Sequence, residues 1–347
     1  MGRLQGDNLE KLRIKLINTE GKYFEIENSP ENPWNNFLQH FLTSGHQFTG
    51  KNWNNKYEVL VTNTHRWRYI FQCFLYNIDK SKRILILWEP RTTNSSVYRR
   101  LVISRYGYVF VPSREWLSGK NVKYFNWPQR PARGSDIDLP ALSSRKEKAI
   151  FIAANKVSII AGELYSLRRQ VLSDERVNKL IDVAGPGWNQ SSLYIYKNVA
   201  KQLIKNGHAD SFKKNLSELN PRVTNHLGFI KDKNSLIQEY QVSLVIENSL
   251  DYVSEKLFDA LDAGAVTVYV GGLLTNFELP PTLAIQVPPN CTKIMHEVER
   301  LLSLDIDTLK NIQKEQQFQY SKIHHTWNNM RVFHDLAVEI ERTIEQH

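Results

Sequence analysis

The sequence predicts an α/β protein built from two parallel-sheet domains that are joined by a linker. The chain has 347 residues, which is more than a single hydrophobic core usually supports. Short apolar runs typical of strands alternate with segments of helical periodicity, a pattern that indicates parallel strands with crossover helices. A stretch at 129–148 contains prolines and no regular period, which indicates a break between two α/β series.

The N-terminal part of the chain contains the first α/β series. KLRIKLIN (11–18) alternates apolar and polar residues and predicts a strand, whereas NPWNNFLQHFL (32–42) has its large apolar residues at helical spacing. Further strands are predicted at 57–63, 83–90, 108–113 and 122–128. HRWRYIF (65–71) mixes arginine with aromatic residues; it either grips a sugar acceptor or covers a core edge, and we favour the second. We assign residues 1–130 to an N-terminal domain and 131–148 to the linker.

The second series begins with the strand AIFIAANK (149–156). A helix over 163–182, the strand and turn LIDVAGPG (180–187), the strand YQVSLVIEN (240–248), a helix over 253–264 and the strand AVTVYVGG (265–272) follow in order. Two helical segments, 307–327 and 330–346, complete the chain. The C-terminal domain is therefore expected at 149–325, with a final helix at 326–347. In open α/β sheets ligands bind beyond the carboxyl ends of the strands, so we expect a site in a cleft between the domains.

Composition limits the possible partners. The chain has 45 basic and 36 acidic residues, a formal charge of +9, which favours anionic ligands such as phosphates or nucleotides. The basic residues are spread along the chain and no nucleic-acid-binding signature occurs, so we expect no nucleic-acid partner. Cys73 and Cys291 are too few and too far apart for a disulfide framework or a zinc site.

The sequence shows no apolar run long enough to span a membrane and no secretory leader. We therefore expect a cytoplasmic protein. The excess of basic residues also fits peripheral association with a membrane surface.

One segment, IENSLDYVSEKLFDALDAGAVTVYVGG (246–272), is dense in polar groups at a predicted helix start. If Asp251 or Ser254 caps this helix, its free N–H groups form a ready site for a phosphate. Lys256 would add a positive charge, and Glu255 would accept hydrogen bonds from sugar hydroxyls. Tyr252 offers a ring face and a phenolic donor. The alternative is an ordinary surface helix start with solvated side chains.

The segment resembles the signature of the α-1,3-fucosyltransferases, glycosyltransferase family 10, as a divergent member of bacterial or viral type. The family pattern runs Phe-Glu-Asn-Ser, a short gap, Asp-Tyr-(Val/Ile)-(Thr/Ser)-Glu-Lys and Ala-x-x-Ala-Gly-x-Val-Pro-Val. Here it corresponds to Ile246–Ser249, Asp251–Lys256 and Ala260–Val268. The gap is about two residues shorter than in well-known members, Ile246 replaces phenylalanine and Thr267 replaces proline. The donor sugar is therefore less well defined than the reaction class.

The resemblance implies a GT-B fold, in which two Rossmann-like domains face an interdomain cleft and the C-terminal domain binds a nucleotide-sugar. By the same resemblance, Asn248, Tyr252, Glu255 and Lys256 would contact a donor such as GDP-fucose. The segment AANKVSIIAGELYSLRRQVL (153–172) resembles the part of the family that carries a diphosphate-binding arginine. Arg168 fits this position best, and Arg169 stays open as an alternative.

The family's general base is a glutamate that follows an N-domain strand, and ILILWEPRTTNSS places Glu89 there. A carboxylate at a strand end can deprotonate an acceptor hydroxyl, and the neighbours Trp88 and Pro90 would reduce its solvation and raise its pKa. The alternative is a loop acid paired with Arg91 or Arg99.

We expect neither a metal nor a cofactor. The adjacent His324 and His325 would point in different directions on a helix, and Asp136-Ile137-Asp138, which has the letters of an Asp-x-Asp element, lies in the linker. The predicted activity is an inverting, metal-independent transfer of fucose from GDP-fucose to a hydroxyl of an oligosaccharide or other glycan acceptor. Lys256, Arg168 and the helix N-terminus would stabilise the leaving nucleoside diphosphate. The alternatives are another nucleotide-sugar donor on the same fold, or a non-catalytic module that binds anionic glycans or membranes.

Overall fold

The computed structural model of the protein describes residues 11–17, 33–49, 55–126, 139–189, 197, 200 and 223–346. The chain divides into two compact units. The first comprises Met1–Trp88, Ser96–Pro128 and Asn328–His347, and the second comprises Glu89–Ser95 and Gln129–Trp327. The end of the chain thus returns to the first unit, and the short loop Glu89–Ser95 belongs to the second.

The first unit contains a six-stranded parallel sheet in the order β2-β1-β3-β4-β5-β6. Its strands are β1 (Arg13–Ile17), β2 (Gln47–Phe48), β3 (Val59–Thr62), β4 (Arg83–Ile86), β5 (Tyr108–Val111) and β6 (Val122–Tyr124). All four residues of β3 are buried, as expected for an inner strand of a sheet that is covered on both faces.

Four helices accompany this sheet in the described part of the first unit. They are α1 (Pro33–Thr43), α2 (Trp67–Leu75), the short α3 (Arg100–Ile103) and α10 (Asn329–Glu345). α1 and α10 pack together, and their aromatic and aliphatic side chains, among them Phe37, Phe41, Phe333 and Leu336, form one core with the strands. Asn328 begins α10, because its side chain accepts a hydrogen bond from the Met330 N–H.

The second unit contains a five-stranded sheet in the order β11-β10-β9-β7-β8, again parallel throughout. Its strands are β7 (Lys146–Ile152), β8 (Ile181–Ala184), β9 (Tyr240–Ile246), β10 (Val266–Val270) and β11 (Ile285–Gln286). β9 is buried along its whole length and lies between β10 and β7. Two parallel sheets with helices confirm the α/β class and the two-domain organisation predicted from the sequence.

The helices of the second unit differ in part from the prediction. They are α4 (Tyr165–Leu172), α5 (Val177–Leu180), α6 (Lys233–Ile237), α7 (Glu255–Asp262), α8 (Cys291–Leu302) and α9 (Ile306–Trp327). The single helix predicted over 163–182 is wrong: α4 ends before Asp174, whose carboxylate accepts hydrogen bonds from the N–H and the guanidinium of Arg176. Such local bonds compete with helix continuation.

β7 begins at Lys146, three residues before its expected start and inside the stretch predicted as linker. Residues 131–138 of that stretch, including the Asp-x-Asp sequence, lie outside the described residues. Among the described helices, none combines the length and the apolar character that crossing a bilayer requires.

Candidate active site

Two loops meet at the carboxyl ends of the neighbouring strands β7 and β9. Glu163 and Ser249 form an antiparallel bridge. On either side of it, the Leu164 N–H donates to the Asn248 carbonyl at 3.1 Å and the Leu250 N–H donates to the Gly162 carbonyl at 3.0 Å. α4 begins directly after this bridge, so the loop that follows β9 is fixed against the start of α4.

α7 begins at this loop, and Ser254 is its N-cap. The Ser254 Oγ accepts a hydrogen bond from the Lys256 N–H at 3.4 Å, which decides between the two caps considered from the sequence. Asp251 instead accepts a hydrogen bond from the Ser249 hydroxyl. The predicted helix start is therefore present, with Ser254 as its cap; phosphate binding there stays a prediction.

Glu247, the residue directly after β9, links that strand to the start of α7 through its carboxylate. Its carboxylate is fully buried. One oxygen accepts from the Ser254 N–H at 2.7 Å, and the other accepts from the Ser254 hydroxyl at 2.7 Å and from the Lys256 Nζ at 3.3 Å. Glu247 thus ties the end of β9 to the start of α7 and holds Lys256. Sequence reasoning placed Glu247 in the motif but gave it no role, although an acid directly after a fully buried strand must find partners when it is buried too.

The pKa shifts of Lys256 and Glu255 both favour the charged forms. Burial alone would lower the pKa of Lys256, but the carboxylates of Glu247 and Glu255 raise it above its ordinary value. For Glu255, burial would raise the pKa, but the ammonium groups of Lys256 and Lys233 hold it below its ordinary value. The Lys256 Nζ also donates to the Ser254 Oγ at 2.8 Å. An ammonium has three donors, and residues in the described part of the chain accept hydrogen bonds from two of them.

Arg168 reaches the same loop from α4. Its Nε and Nη2 donate to the Ile246 carbonyl at 3.1 and 2.6 Å, and Nη2 also donates to the Asn248 Oδ1 at 3.0 Å. The guanidinium lies over the Tyr165 ring, 4.9 Å from its centroid. Within the described part of the chain, Nη1 of Arg168 makes no hydrogen bond. Arg169 points elsewhere, because its Nη1 donates to the Lys156 carbonyl at 2.8 Å.

Tyr252 lies in the interior. Its side chain is buried, and its carbonyl accepts hydrogen bonds from the Tyr269 hydroxyl at 3.0 Å and the Gly272 N–H at 3.2 Å. A Cβ at Gly271 would lie 2.6 Å from the Glu247 Cγ, so glycine is needed where the end of β10 approaches this loop. The ring of Tyr252 supports the loop rather than presenting an exposed face.

Thr267 stands at the position that is proline in the family pattern. Its N–H donates to the Gln316 Oε1 at 2.8 Å, and the Gln316 Nε2 donates back to the Thr267 carbonyl at 3.1 Å. Proline has no N–H and could not make the first bond. The replacement of proline by threonine therefore leaves a backbone N–H in β10, and Gln316 of α9 accepts the hydrogen bond from it.

Glu89 belongs to the second unit and interacts with the residues at the start of α7. Burial raises the pKa of Glu89 above its ordinary value; Lys156 and Lys256 act against this shift and Glu255 acts with it. Lys156 and Lys256 are therefore two cations whose charges favour the ionised form of Glu89. Trp88 stacks on Phe125 with the ring centroids 5.7 Å apart.

Thr93 connects the loop of Glu89 to α4. Its side chain donates a hydrogen bond to the Glu89 carboxylate, which acts to lower the pKa of Glu89. The Thr93 hydroxyl also lies 3.2 Å from the Tyr165 hydroxyl. Tyr165 in turn lies under the guanidinium of Arg168. The structure therefore brings Glu89, Arg168, Asn248, Glu255 and Lys256 into one neighbourhood, and places Tyr252 beneath it.

One group of side chains in the described residues could surround a metal ion: His46, Glu341 and Glu345 in the first unit. The His46 Nδ1 accepts a hydrogen bond from the Leu12 N–H at 3.2 Å, and its Nε2 lies 3.0 Å from Glu341. The neutral ring therefore carries its proton on Nε2 and donates it to the carboxylate. In this tautomer both ring nitrogens of His46 are engaged in hydrogen bonds, Nδ1 as an acceptor and Nε2 as a donor.

Comparison of the structure with solved structures identifies the fold. No family model and no curated protein matches the sequence. Among solved structures, an α1,3-fucosyltransferase has a TM-score of 0.56 at 14% identity, covering 100% of this chain and 93% of that chain. Anabaena HepE in complex with UDP has a TM-score of 0.56 at 9% identity, covering 95% and 100%. A glycosyltransferase from Rickettsia africae has a TM-score of 0.54 at 9% identity, covering 97% and 99%. The chain therefore has the GT-B fold of two Rossmann-like domains.

Proposed function

We propose that this protein is an inverting, metal-independent glycosyltransferase that transfers fucose from GDP-fucose to a hydroxyl of a glycan acceptor. The observation that carries the proposal is the proximity of three elements: the capped N-terminus of α7, the cations Lys256 and Arg168, and a carboxylate with a raised pKa, Glu89. The likeness of the fold to an α1,3-fucosyltransferase structure with GDP, at a TM-score of 0.53, supports it. We also propose that the C-terminal domain binds the donor and the N-terminal domain binds the acceptor.

The diphosphate of the donor would bind at the start of α7. Free N–H groups and the helix dipole favour a phosphate there. The remaining donor of Lys256 and the Nη1 of Arg168 would bind the phosphate oxygens. Because negative charge builds up on the leaving diphosphate as the glycosidic bond breaks, these groups would stabilise the transition state more than the ground state. Protein cations then do the work that a divalent metal does in metal-dependent transferases.

The sugar would lie against Glu255 and Asn248. Glu255 is a carboxylate at neutral pH and accepts hydrogen bonds from sugar hydroxyls. The Asn248 Oδ1 is held by Arg168 at 3.0 Å, which orients its amide nitrogen as a donor. Tyr252 would contribute to donor binding through the loop that its buried ring anchors.

Glu89 would act as the general base. The pKa of this carboxyl is raised, so its carboxylate is a better proton acceptor than an ordinary exposed glutamate. It would deprotonate the acceptor hydroxyl while the nucleotide departs from the opposite face of the sugar, which inverts the configuration at the anomeric carbon.

A second candidate keeps the fold and the mechanism but uses another nucleotide-sugar. The solved structures of Anabaena HepE with UDP and with UDP-glucose, at TM-scores of 0.56 and 0.55, favour it. The loop between Asn248 and Tyr252, which is shorter than in the family pattern, also allows a different sugar pocket.

The test uses the purified protein with GDP-fucose, UDP-glucose, and dTDP- and CMP-sugars, with a panel of glycan acceptors and with EDTA present. Release of GDP from GDP-fucose, dependent on an acceptor, is the expected result. Turnover with another nucleotide-sugar alone would replace the donor assignment. Loss of turnover in EDTA that returns with a divalent metal would contradict metal independence. Absence of turnover and of nucleotide binding with every donor would overturn the transferase proposal.

A further inference from the structure

The outward face of α2, in the first unit, is strongly apolar. The helix buries Tyr69, Ile70 and Cys73 against the core. This side of the helix agrees with the expectation that HRWRYIF covers a core edge. On the other side, the exposed fractions are 52% for Trp67, 58% for Phe71, 77% for Phe74 and 56% for Leu75. These positions follow the helical period and form a single stripe. Contiguous exposed apolar surface of this kind marks an interaction site.

Basic residues flank the helix that carries this stripe, and one basic side chain contacts the stripe itself. Residues 64–83 contain five basic residues and one acidic residue, Asp79. The Asp79 carboxylate already accepts hydrogen bonds from the N–H and the hydroxyl of Ser81 at 2.7 and 2.6 Å. Arg105, which follows α3, lies with its guanidinium 5.8 Å from the centroid of the Trp67 ring. The stripe therefore lies in a local excess of positive charge.

We propose that this surface docks the protein on an anionic lipid bilayer. We define the α2 surface as Trp67, Phe71, Phe74 and Leu75 with the flanking residues Arg66, Lys80 and Lys82 and with Arg105. Large apolar side chains enter the boundary between headgroups and acyl chains, tryptophan is favoured at that depth, and flanking basic residues bind anionic headgroups. The α2 surface combines the exposed apolar stripe with Arg105 at Trp67 and with basic residues that flank α2 in the sequence.

The chemistry of the stripe favours lipid over the other occupants. Phe71, Phe74 and Leu75 have no hydrogen-bonding side-chain groups, whereas a glycan presents hydroxyls that need polar partners. A second copy of the chain, related by a two-fold axis, would bring the two basic rims together and repel. An anionic bilayer satisfies both the apolar stripe and the positive charge.

The test is co-sedimentation of the full chain with vesicles of phosphatidylcholine, with and without phosphatidylglycerol. We expect binding only to the anionic vesicles, and we expect salt to weaken it. Phe71→Ser with Phe74→Ser should reduce the partition coefficient about tenfold for each phenylalanine. Lys80→Gln with Lys82→Gln should reduce it about fivefold for each charge. The Tm should change little in the phenylalanine variant because Phe71 and Phe74 are exposed; in the lysine variant Lys80 is exposed and Lys82 is half-buried, so circular dichroism checks that this variant is folded.

The matched control is Phe318→Ser in α9 of the second unit. Phe318 is 53% exposed and lies beside the Lys322 Nζ, which is 3.7 Å from its ring centroid. This variant should bind anionic vesicles like the wild type. Absence of vesicle binding, equal binding to both vesicle types, or equal loss in the control would overturn the proposal. So would a dimer, measured by light scattering, that Phe71→Ser with Phe74→Ser dissociates while vesicles leave the wild type unbound.

Discussion

Glu247→Gln tests whether a buried carboxylate holds the start of α7 and Lys256 in place. The wild-type side chain is fully buried and accepts three hydrogen bonds, from the Ser254 N–H, the Ser254 hydroxyl and the Lys256 Nζ. Glutamine keeps the shape but replaces one acceptor oxygen with an NH₂ donor. One side of the amide must then face a donor, and the Lys256 ammonium loses its buried counter-charge.

Removing one partner of a buried ion pair costs about 3–5 kcal/mol. The Lys256 side chain keeps 18% exposure while that of Glu247 has none, so water can solvate the ammonium in part and the lower end applies. We expect Glu247→Gln to lower the free energy of unfolding by about 3 kcal/mol. Urea denaturation followed by circular dichroism measures this loss.

The control variant lies at the other end of β9. Glu239 pairs with Lys146 at 2.8 Å, with both side chains about half exposed, and such pairs contribute less than about 1 kcal/mol. Glu239→Gln should therefore change the free energy of unfolding only slightly. If the two variants lose equal and small amounts of stability, Glu247 does not hold Lys256 and the account of the α7 start is wrong.

The further predictions concern three residues, Glu89, Arg145 and Glu341. Glu89→Gln should leave GDP binding unchanged in calorimetry but reduce the transfer rate at least about 100-fold, since it removes the general base. In the wild type, log kcat/KM should fall as pH falls through the pKa of Glu89, which burial raises above its ordinary value, because only the carboxylate accepts the proton. Arg145→Ala should lower the free energy of unfolding by about 2 kcal/mol or more, because its buried guanidinium donates to the carbonyls that end α7, at 3.1 and 2.9 Å. Glu341→Gln should remove an acid-dependent part of stability. Burial would raise the pKa of Glu341, but hydrogen bonds from Ser44, His40 and His46 hold it below its ordinary value; this contribution is therefore present above the unfolded pKa and is lost as pH falls through the folded pKa.

Each of these three has a result that would contradict it. A Glu89→Gln enzyme with wild-type turnover would exclude Glu89 as the base. The exposed Arg331, 3.5 Å from Asp335, is the control for Arg145, and equal losses for the two alanine variants would refute a special role for the buried one. Stability curves of wild type and Glu341→Gln that run parallel below neutral pH would show that the carboxylate between His40 and His46 is not linked to folding.

The strands could be predicted because a parallel sheet covered on both faces requires nearly continuous apolar runs. β9 is such a run: its predicted start at Tyr240 is confirmed, whereas the strand ends at Ile246, two residues before the predicted end. The two-residue strands β2 and β11 have no such signal. α8 was missed although Ile294, Met295, Val298 and Leu301 recur at helical spacing after the cap residue Asn290. The interruption between α4 and α5 depends on hydrogen bonds to one side chain, Asp174, and the spacing of apolar residues carries no information about such bonds.

The features of the site that depend on neighbouring residues in the sequence could be predicted. A serine or aspartate before a Glu-Lys pair indicates a capped helix start, and the structure confirms a cap at Ser254. The choice between Arg168 and Arg169 depends on how α4 is rotated against β9, which only the tertiary structure gives. Burial of Tyr252 follows from its packing beneath the end of β10, which no local pattern encodes. The return of α10 to the first unit is likewise a long-range contact.

GDP binding to Lys256 variants tests the central claim, that the start of α7 binds the diphosphate of a nucleotide-sugar. Calorimetry would compare the wild type, Lys256→Met and the control Lys233→Met, whose ammonium lies 3.8 Å from Glu255 and 3.5 Å from Asp259. The account predicts that GDP binds the wild type and Lys233→Met alike, and that Lys256→Met, if folded by circular dichroism, binds at least about tenfold more weakly. Equal affinity of Lys256→Met and the wild type for GDP would contradict it.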